Sequence, residues 1–233
     1  MSQYPRYAIY FVPAADSVLY RFGASLIGYD AYPGQPLAFP PGIEAEVEGW
    51  EQFTADPRRY GFHATLKAPI ALAAGKTESA LIATMDEFAR TPRAMPMITP
   101  VVRSISSFIA IVPDKPCAEL QAFARDCVTV FDSFRAPLTE ADRERRNISA
   151  LSERQILYLD RWGYPYVLEE FRFHMTLAGS LPAERLETVT NILRERFSAL
   201  ELTSIPIDRL TLLRQDDPTS RFKIIRHWPL KAS

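Results

Sequence analysis

The chain carries an internal repeat, and that repeat limits the fold more than any other feature. Phe62-His63-Ala64-Thr65-Leu66 returns as Phe173-His174-Met175-Thr176-Leu177. The flanking elements return in the same order. Tyr7-Ala8-Ile9-Tyr10-Phe11-Val12-Pro13 is rich in β-formers and reads as a buried strand, with Phe108-Ile109-Ala110-Ile111-Val112-Pro113 as its counterpart. A helix is expected after each: from about Asp16 to Gly28, with Ser17 or Asp16 as cap and Gly28 as stop, and from about Cys117 to Phe134. The histidine strands follow. Each leads into another helix, near Thr77 to Arg90 and near Pro182 to Ala199, and then into two β-like runs. Those runs are Met97 to Arg103 and Ile105 to Val112, then Ile205 to Arg214 and Arg221 to Trp228.

A unit with one apolar sheet face must cover it. Two such units are expected to pack about a pseudo-twofold axis and bring the two histidines together. The predicted class is α+β: a bilobal, pseudo-twofold pair of duplicated β-α-β-α-β units, with two facing antiparallel sheets and a central cleft. Residues 1–233 form one domain, with a first lobe at 1–104 and a second at 105–233. Two segments do not repeat. Tyr29 to Tyr60 is proline-dense and reads as a structured loop or lid. The other, about 138–166, is a helical insertion in which Thr139-Glu140-Ala141-Asp142 opens a helix running through Arg143, Glu144, Arg145 and Arg146, a solvated face.

In a strand, residues two apart share a face. His63 and Thr65 therefore point together, with Gly61 and Lys67 in line, and His174 and Thr176 point together with Arg172. The opposite faces carry Phe62, Ala64 and Leu66, and Phe173, Met175 and Leu177. Two histidines, two threonines, a lysine and an arginine suit a phosphate. Cleavage of a phosphodiester by water needs a base for the nucleophile and an acid for the leaving oxygen. A neutral imidazole and an imidazolium supply both. Threonine hydroxyls and cationic side chains can hold the non-bridging oxygens. Metal binding finds no support near either histidine: no His-Glu-x-x-His, no cysteine pair, no carboxylate at ligand spacing. No cofactor is called for.

The paired His-x-Thr strings resemble those of the 2H phosphoesterase superfamily, which includes RNA 2′,3′-cyclic phosphodiesterases and RNA ligase-like proteins. Arg59-Tyr60-Gly61-Phe62-His63-Ala64-Thr65-Leu66-Lys67-Ala68-Pro69 and Trp162-Gly163-Tyr164-Pro165-Tyr166-Val167 through Phe171 to Leu177 are closer still to one branch. That branch is the DUF1045 type, assigned to phosphonate metabolism. The resemblance spans nearly the whole chain. It implies a bilobal α+β fold, His63, His174, Thr65 and Thr176 facing each other across a cleft, and metal-independent chemistry on a phosphoester, often a cyclic one. Members tend to be encoded beside genes for carbon–phosphorus bond cleavage, which points to a cyclic ribose phosphate as substrate.

Lys67 and Arg172 are candidate phosphate contacts. Trp162 and Tyr164, with Tyr166, can wall a base or sugar pocket. Arg154 and Tyr158, four apart on a helix, can point together toward the cleft. Tyr60 reads as core packing and His227 as structural. The net charge of −1 gives no field for long nucleic acid or an anionic membrane. No run of about 18 apolar residues is present, and the N-terminus lacks the pattern of a signal peptide. The expected location is the cytoplasm. Cys117 and Cys127 share one helical segment, roughly 15 Å apart and beyond disulfide reach. The expected partner is a small phosphorylated substrate carrying a cyclic phosphate. An RNA-end 2′,3′-cyclic phosphodiesterase or 2′–5′ ligase-like enzyme, and a non-catalytic phosphoryl-binding module, are the alternatives.

Overall fold

A computed structural model describes residues 3–144 and 148–233. In chain order they form β1 (Arg6–Phe11), α1 (Val18–Ile27), β2 (Tyr29–Asp30), β3 (Gln35–Pro36), α2 (Ile43–Glu46), α3 (Trp50–Phe53) and α4 (Ala55–Arg58). Next come β4 (Ala64–Ala71), α5 (Glu78–Arg90), β5 (Met97–Ile98), β6 (Pro100–Ile105), β7 (Phe108–Pro113) and α6 (Ala118–Phe131). The remainder is α7 (Glu140–Glu144), α8 (Glu153–Trp162), β8 (Met175–Ala178), α9 (Ala183–Ser198), β9 (Ile205–Pro206), β10 (Arg209–Gln215) and β11 (Lys223–Pro229).

Local chemistry sets the helix ends. The Ser17 hydroxyl accepts from the Tyr20 amide to start α1, and Gly28, at φ 72°, ends it. The Thr77 hydroxyl caps α5. Ser152 and Gln155 close a capping box on α8. The helix expected through residue 146 is α7; Arg145 and Arg146 lie outside the described residues.

Seven strands make one antiparallel sheet in the order β11-β10-β1-β4-β8-β7-β6. Two facing sheets were expected. The two groups of strands are instead continuous through a single pair, Ala64 with Met175. Only one pair forms because β8 is short and the chain before it turns away from β4. The third long strand of each repeat crosses over: β6 pairs with β7, and β10 pairs with β1. Position 104 therefore falls inside β6. The helices cross too. α1, which follows β1, packs on β8, and α6, which follows β7, packs on β4; α5 covers β10 and β11, and α9 covers β6 and β7. Gly23 of α1 lies flat on Phe62, where an added Cβ would stand 2.3 Å from the ring.

The proline-dense segment holds α2, α3 and α4. Trp50 is buried and donates its indole N–H to the Leu26 carbonyl at 2.8 Å, with Ile43 and Val47 also in the core. The segment is packed into the core through these three residues.

Candidate functional site

Both histidines stand one residue before a strand: His63 before β4 and His174 before β8. The pair Ala64–Met175 sets their relation. Extending that register puts His63 opposite Thr176 and Thr65 opposite His174, all four on the face away from Ala64 and Met175. The two histidines are diagonal neighbours, a relation that spans roughly 7–8 Å.

Each imidazole is held by one device. His63 Nδ1 lies 2.8 Å from the Gly61 carbonyl, and His174 Nδ1 lies 2.8 Å from the Arg172 carbonyl. A carbonyl only accepts, so each Nδ1 carries the hydrogen and each Nε2 presents a lone pair. Thr65 Oγ1 is 3.2 Å from His63 Nε2. Gly61 makes the first arrangement possible. It sits at φ 79°, and an added Cβ would lie 2.8 Å from that of Ala31.

Tyr10 stacks on His63, with centroids 3.8 Å apart and planes 20° from parallel. Burial is the main reason that the His63 pKa is pushed down to about 4; nearby His174 lowers it further and the Gly61 carbonyl opposes. Burial also lowers His174, whose ring meets Phe108 at 5.4 Å. Burial raises the Tyr10 phenol well above its ordinary range, with Tyr60 and Tyr164 adding to the rise and Arg6 opposing it.

A cavity of about 330 Å³ opens where β4 and the chain before β8 diverge. Thr65 and Ala68 line one side, Tyr164, Tyr166, Glu170, Arg172 and His174 another, and Ser106 and Phe108 of the β6–β7 hairpin a third. Thr65, His174, Arg172 and Tyr164 were expected there. His63 and Thr176 are not among the lining residues; His63 Nε2 touches the lining at Thr65 Oγ1.

Lys67 is not at the site. Tyr10 pairs with Thr65 but Ile9 pairs with Lys67, so β4 takes an extra residue between them. This bulge turns Lys67 to the opposite face, under α6. Its ammonium is buried and bonds the Val128 carbonyl at 3.2 Å and Asp132 at 2.6 Å. Arg135 holds the same carboxylate through two bonds. Burial pushes the Asp132 pKa up, but the bonds from Arg135 and Lys67 prevail and keep it below the usual range.

Trp162 also lies off the cavity, its ring covered by Arg161 at 4.5 Å and facing Lys67 at 6.0 Å. Arg154 and Tyr158 do not line the cavity; Arg154 bonds Glu170, which does, and Tyr158 bonds Glu169. Their neighbour Gln155 lines the cavity and donates to Glu170 at 2.9 Å. Tyr60, read as core, stands 6.2 Å from His63. His227 is exposed and touches Tyr32 edge-on at 6.0 Å. Strand alternation could have suggested Tyr10, but only the register shows that it pairs with Thr65. Among the described residues, no group of three or more His, Cys, Asp or Glu is placed to hold a metal ion. Among them also, no helix is long and apolar enough to cross a membrane.

A family model described as protein of unknown function (DUF1045) matches residues 65–223. A ribose 1,5-bisphosphate phosphokinase PhnN of Janthinobacterium sp. (strain Marseille) is 38% identical over 223 residues, covering 93% of this chain and 49% of that protein. A protein of the same name from Laribacter hongkongensis (strain HLHK9) is 30% identical over 232 residues, covering 97% and 52%. The chain thus spans about half the length of the curated relatives it matches.

Proposed function

The chain belongs to the DUF1045 family, and we propose that it is a phosphodiesterase that opens a small cyclic ribose phosphate with water, using His63 and His174 as base and acid and needing no cofactor. The observation that carries this reading is the face holding both histidines and both threonines, with each imidazole fixed so that Nε2 is turned away from its backbone anchor.

His63 is the better base. It is stacked, desolvated and neutral at pH 7. Its Nε2 takes a proton from water as the water oxygen bonds to phosphorus. The bond from phosphorus to a ribose oxygen breaks, and that oxygen takes a proton from the Nε2–H of protonated His174. The product is a phosphomonoester with a free hydroxyl, and one water is consumed. The bound phosphate anion favours the imidazolium form of His174. Arg172 and the threonine hydroxyls hold the non-bridging oxygens. The cavity is at the small end of ligand sites, which suits one sugar phosphate better than an RNA strand.

The relatives' name suggests a second reading, a kinase. A phosphate-cradling loop of the Gly-x-x-x-x-Gly-Lys-Ser/Thr type would need a glycine at position 70 ahead of Gly75-Lys76-Thr77. Ile70 stands there, inside β4, and Lys76 lies over the Phe134 ring at 5.0 Å. Hydrolysis also accounts for the name. Water opening a 1,2-cyclic phosphate on ribose 5-phosphate yields ribose 1,5-bisphosphate, the compound that the relatives are named for. This chain's reaction would then supply that kinase's substrate, in keeping with a role in phosphonate metabolism.

The test is turnover of 5-phosphoribosyl 1,2-cyclic phosphate and nucleoside 2′,3′-cyclic phosphates, with EDTA present. His63→Ala and His174→Ala are each expected to cost at least about 100-fold in kcat. Full turnover by either variant, or loss of wild-type turnover in EDTA, would overturn the mechanism.

A further inference from the structure

A second cavity, of about 290 Å³, is lined by Arg6, Tyr60, Ile70, Arg135, Asp142 and Gly163 among others, and the Asp142 carboxylate there accepts from the Thr139 hydroxyl. Tyr60 links this cavity to the histidine pair: it lines the cavity, and its ring is 6.2 Å from that of His63. Arg6 alternates with Ala8 and Tyr10 along β1, so it lies on the same sheet face as Tyr10, Thr65 and His63.

The surroundings of Arg6 are unusual for a structural arginine. No carboxylate stands against it among the described residues. Its Nε and one terminal nitrogen donate to Gln215 Oε1, at 3.0 and 2.5 Å. Gln215 is buried and is itself fixed by donating to the Ser220 carbonyl at 2.7 Å. The guanidinium lies over the rings of Phe222 at 5.6 Å and Tyr4 at 5.2 Å. Phe222 in turn stacks on Tyr60 at 5.4 Å. An arginine held by a neutral amide and two rings has a fixed orientation and no carboxylate bonded to it. Arg135, the other guanidinium of the cavity, is already paired with Asp132.

We infer that Arg6 and Tyr60 form a subsite for a second phosphate on the substrate, a terminal phosphomonoester one sugar ring away from the phosphodiester at the histidines. This assignment rests on the proposed reaction for its place relative to the cyclic phosphate. A planar guanidinium fork matches a terminal phosphate, and the phenol of Tyr60 can add a neutral donor. The subsite makes the enzyme selective for esters that carry phosphate at both ends of the sugar.

The probe is ribose 5-phosphate, with ribose and inorganic phosphate as controls, titrated calorimetrically into wild type, Arg6→Gln and Arg6→Lys. Ribose 5-phosphate is expected to bind wild type more tightly than either control. Arg6→Gln is expected to weaken it by about 10- to 100-fold, the size of a lost charge-assisted pair. Arg6→Lys keeps the charge but not the fork, and should fall between. If Arg6→Gln is shown by circular dichroism not to fold, the Arg6→Lys loss carries the test. Undiminished binding in the folded variants, no binding to wild type, or equal affinity for inorganic phosphate overturns the subsite. Hydrolysis is scored separately. Arg6-dependent binding without turnover of any cyclic ester would leave the subsite standing and sink the hydrolase reading, and turnover without Arg6-dependent binding would do the reverse.

Discussion

At the scale of single residues, His63 and His174 share their tautomer but differ in surroundings, and that difference sets the pH dependence. A general base works when unprotonated and a general acid when protonated. His63, pushed down to about 4, is available as a base at any higher pH. His174 is lowered from the ordinary imidazole value near 6.5, so without ligand it gains its proton only below that value. The product of the two fractions is largest between these limits. The logarithm of kcat/KM is therefore expected to rise as pH falls from 8 toward 6, and to turn down only near pH 4–5. A stopped assay on the cyclic ester across pH 4–9 checks this. A maximum above pH 7.5 would reverse the assigned roles or remove them. The placement of each histidine with its threonine is legible in the sequence, because the same string occurs twice and alternation puts each pair on one face. Tyr10 and Gly61 were less so. What matters about Tyr10 is a stack that depends on strand register, and for Gly61 it is a carbonyl aimed at a ring.

At the scale of elements, the bulge in β4 separates the face that carries the histidines from one that faces helix α6. Plain alternation carries Lys67 to the histidines. One extra residue between Thr65 and Lys67 moves it behind the sheet, where Asp132 and Arg135 complete a buried network. Pro69 marks a second register shift further along β4, but nothing at Thr65-Leu66-Lys67 marks this one, since it arises from pairing with β1. The same holds for α8: spacing placed Arg154 and Tyr158 on one face, but the docking of the helix turned Gln155 inward. Two substitutions separate the two roles for Lys67. Asp132→Ala leaves two cations without their shared carboxylate and should cost about 3–5 kcal/mol in urea unfolding. Lys67→Met replaces a buried ammonium by an apolar chain of similar length, and should cost far less while leaving kcat/KM within about 3-fold. A loss of 10-fold or more in kcat/KM with unchanged stability would restore Lys67 to the substrate.

At the scale of the whole molecule, the repeat was visible, but the exchange of parts between its copies was not. Apolar patterning shows that each unit has a face to cover; it does not say which copy supplies the cover. Here β10 of the second copy flanks β1 of the first, β6 of the first flanks β7 of the second, and α1 and α6 cross in opposite directions. The histidines meet at the one backbone pair that joins the two groups of strands, so neither group carries a site alone. Residues 1–104 by themselves would leave β1 without β10, β4 without the cover of α6, and α1 without β8. The expected result is that fragments 1–104 and 105–233, made separately, show no cooperative thermal transition. The intact chain should unfold in one step by both circular dichroism and tryptophan fluorescence. A fragment with its own sharp transition would mean that the exchanged strands are additions to two self-sufficient lobes. The site would then depend on how those lobes dock, and no longer on one shared core.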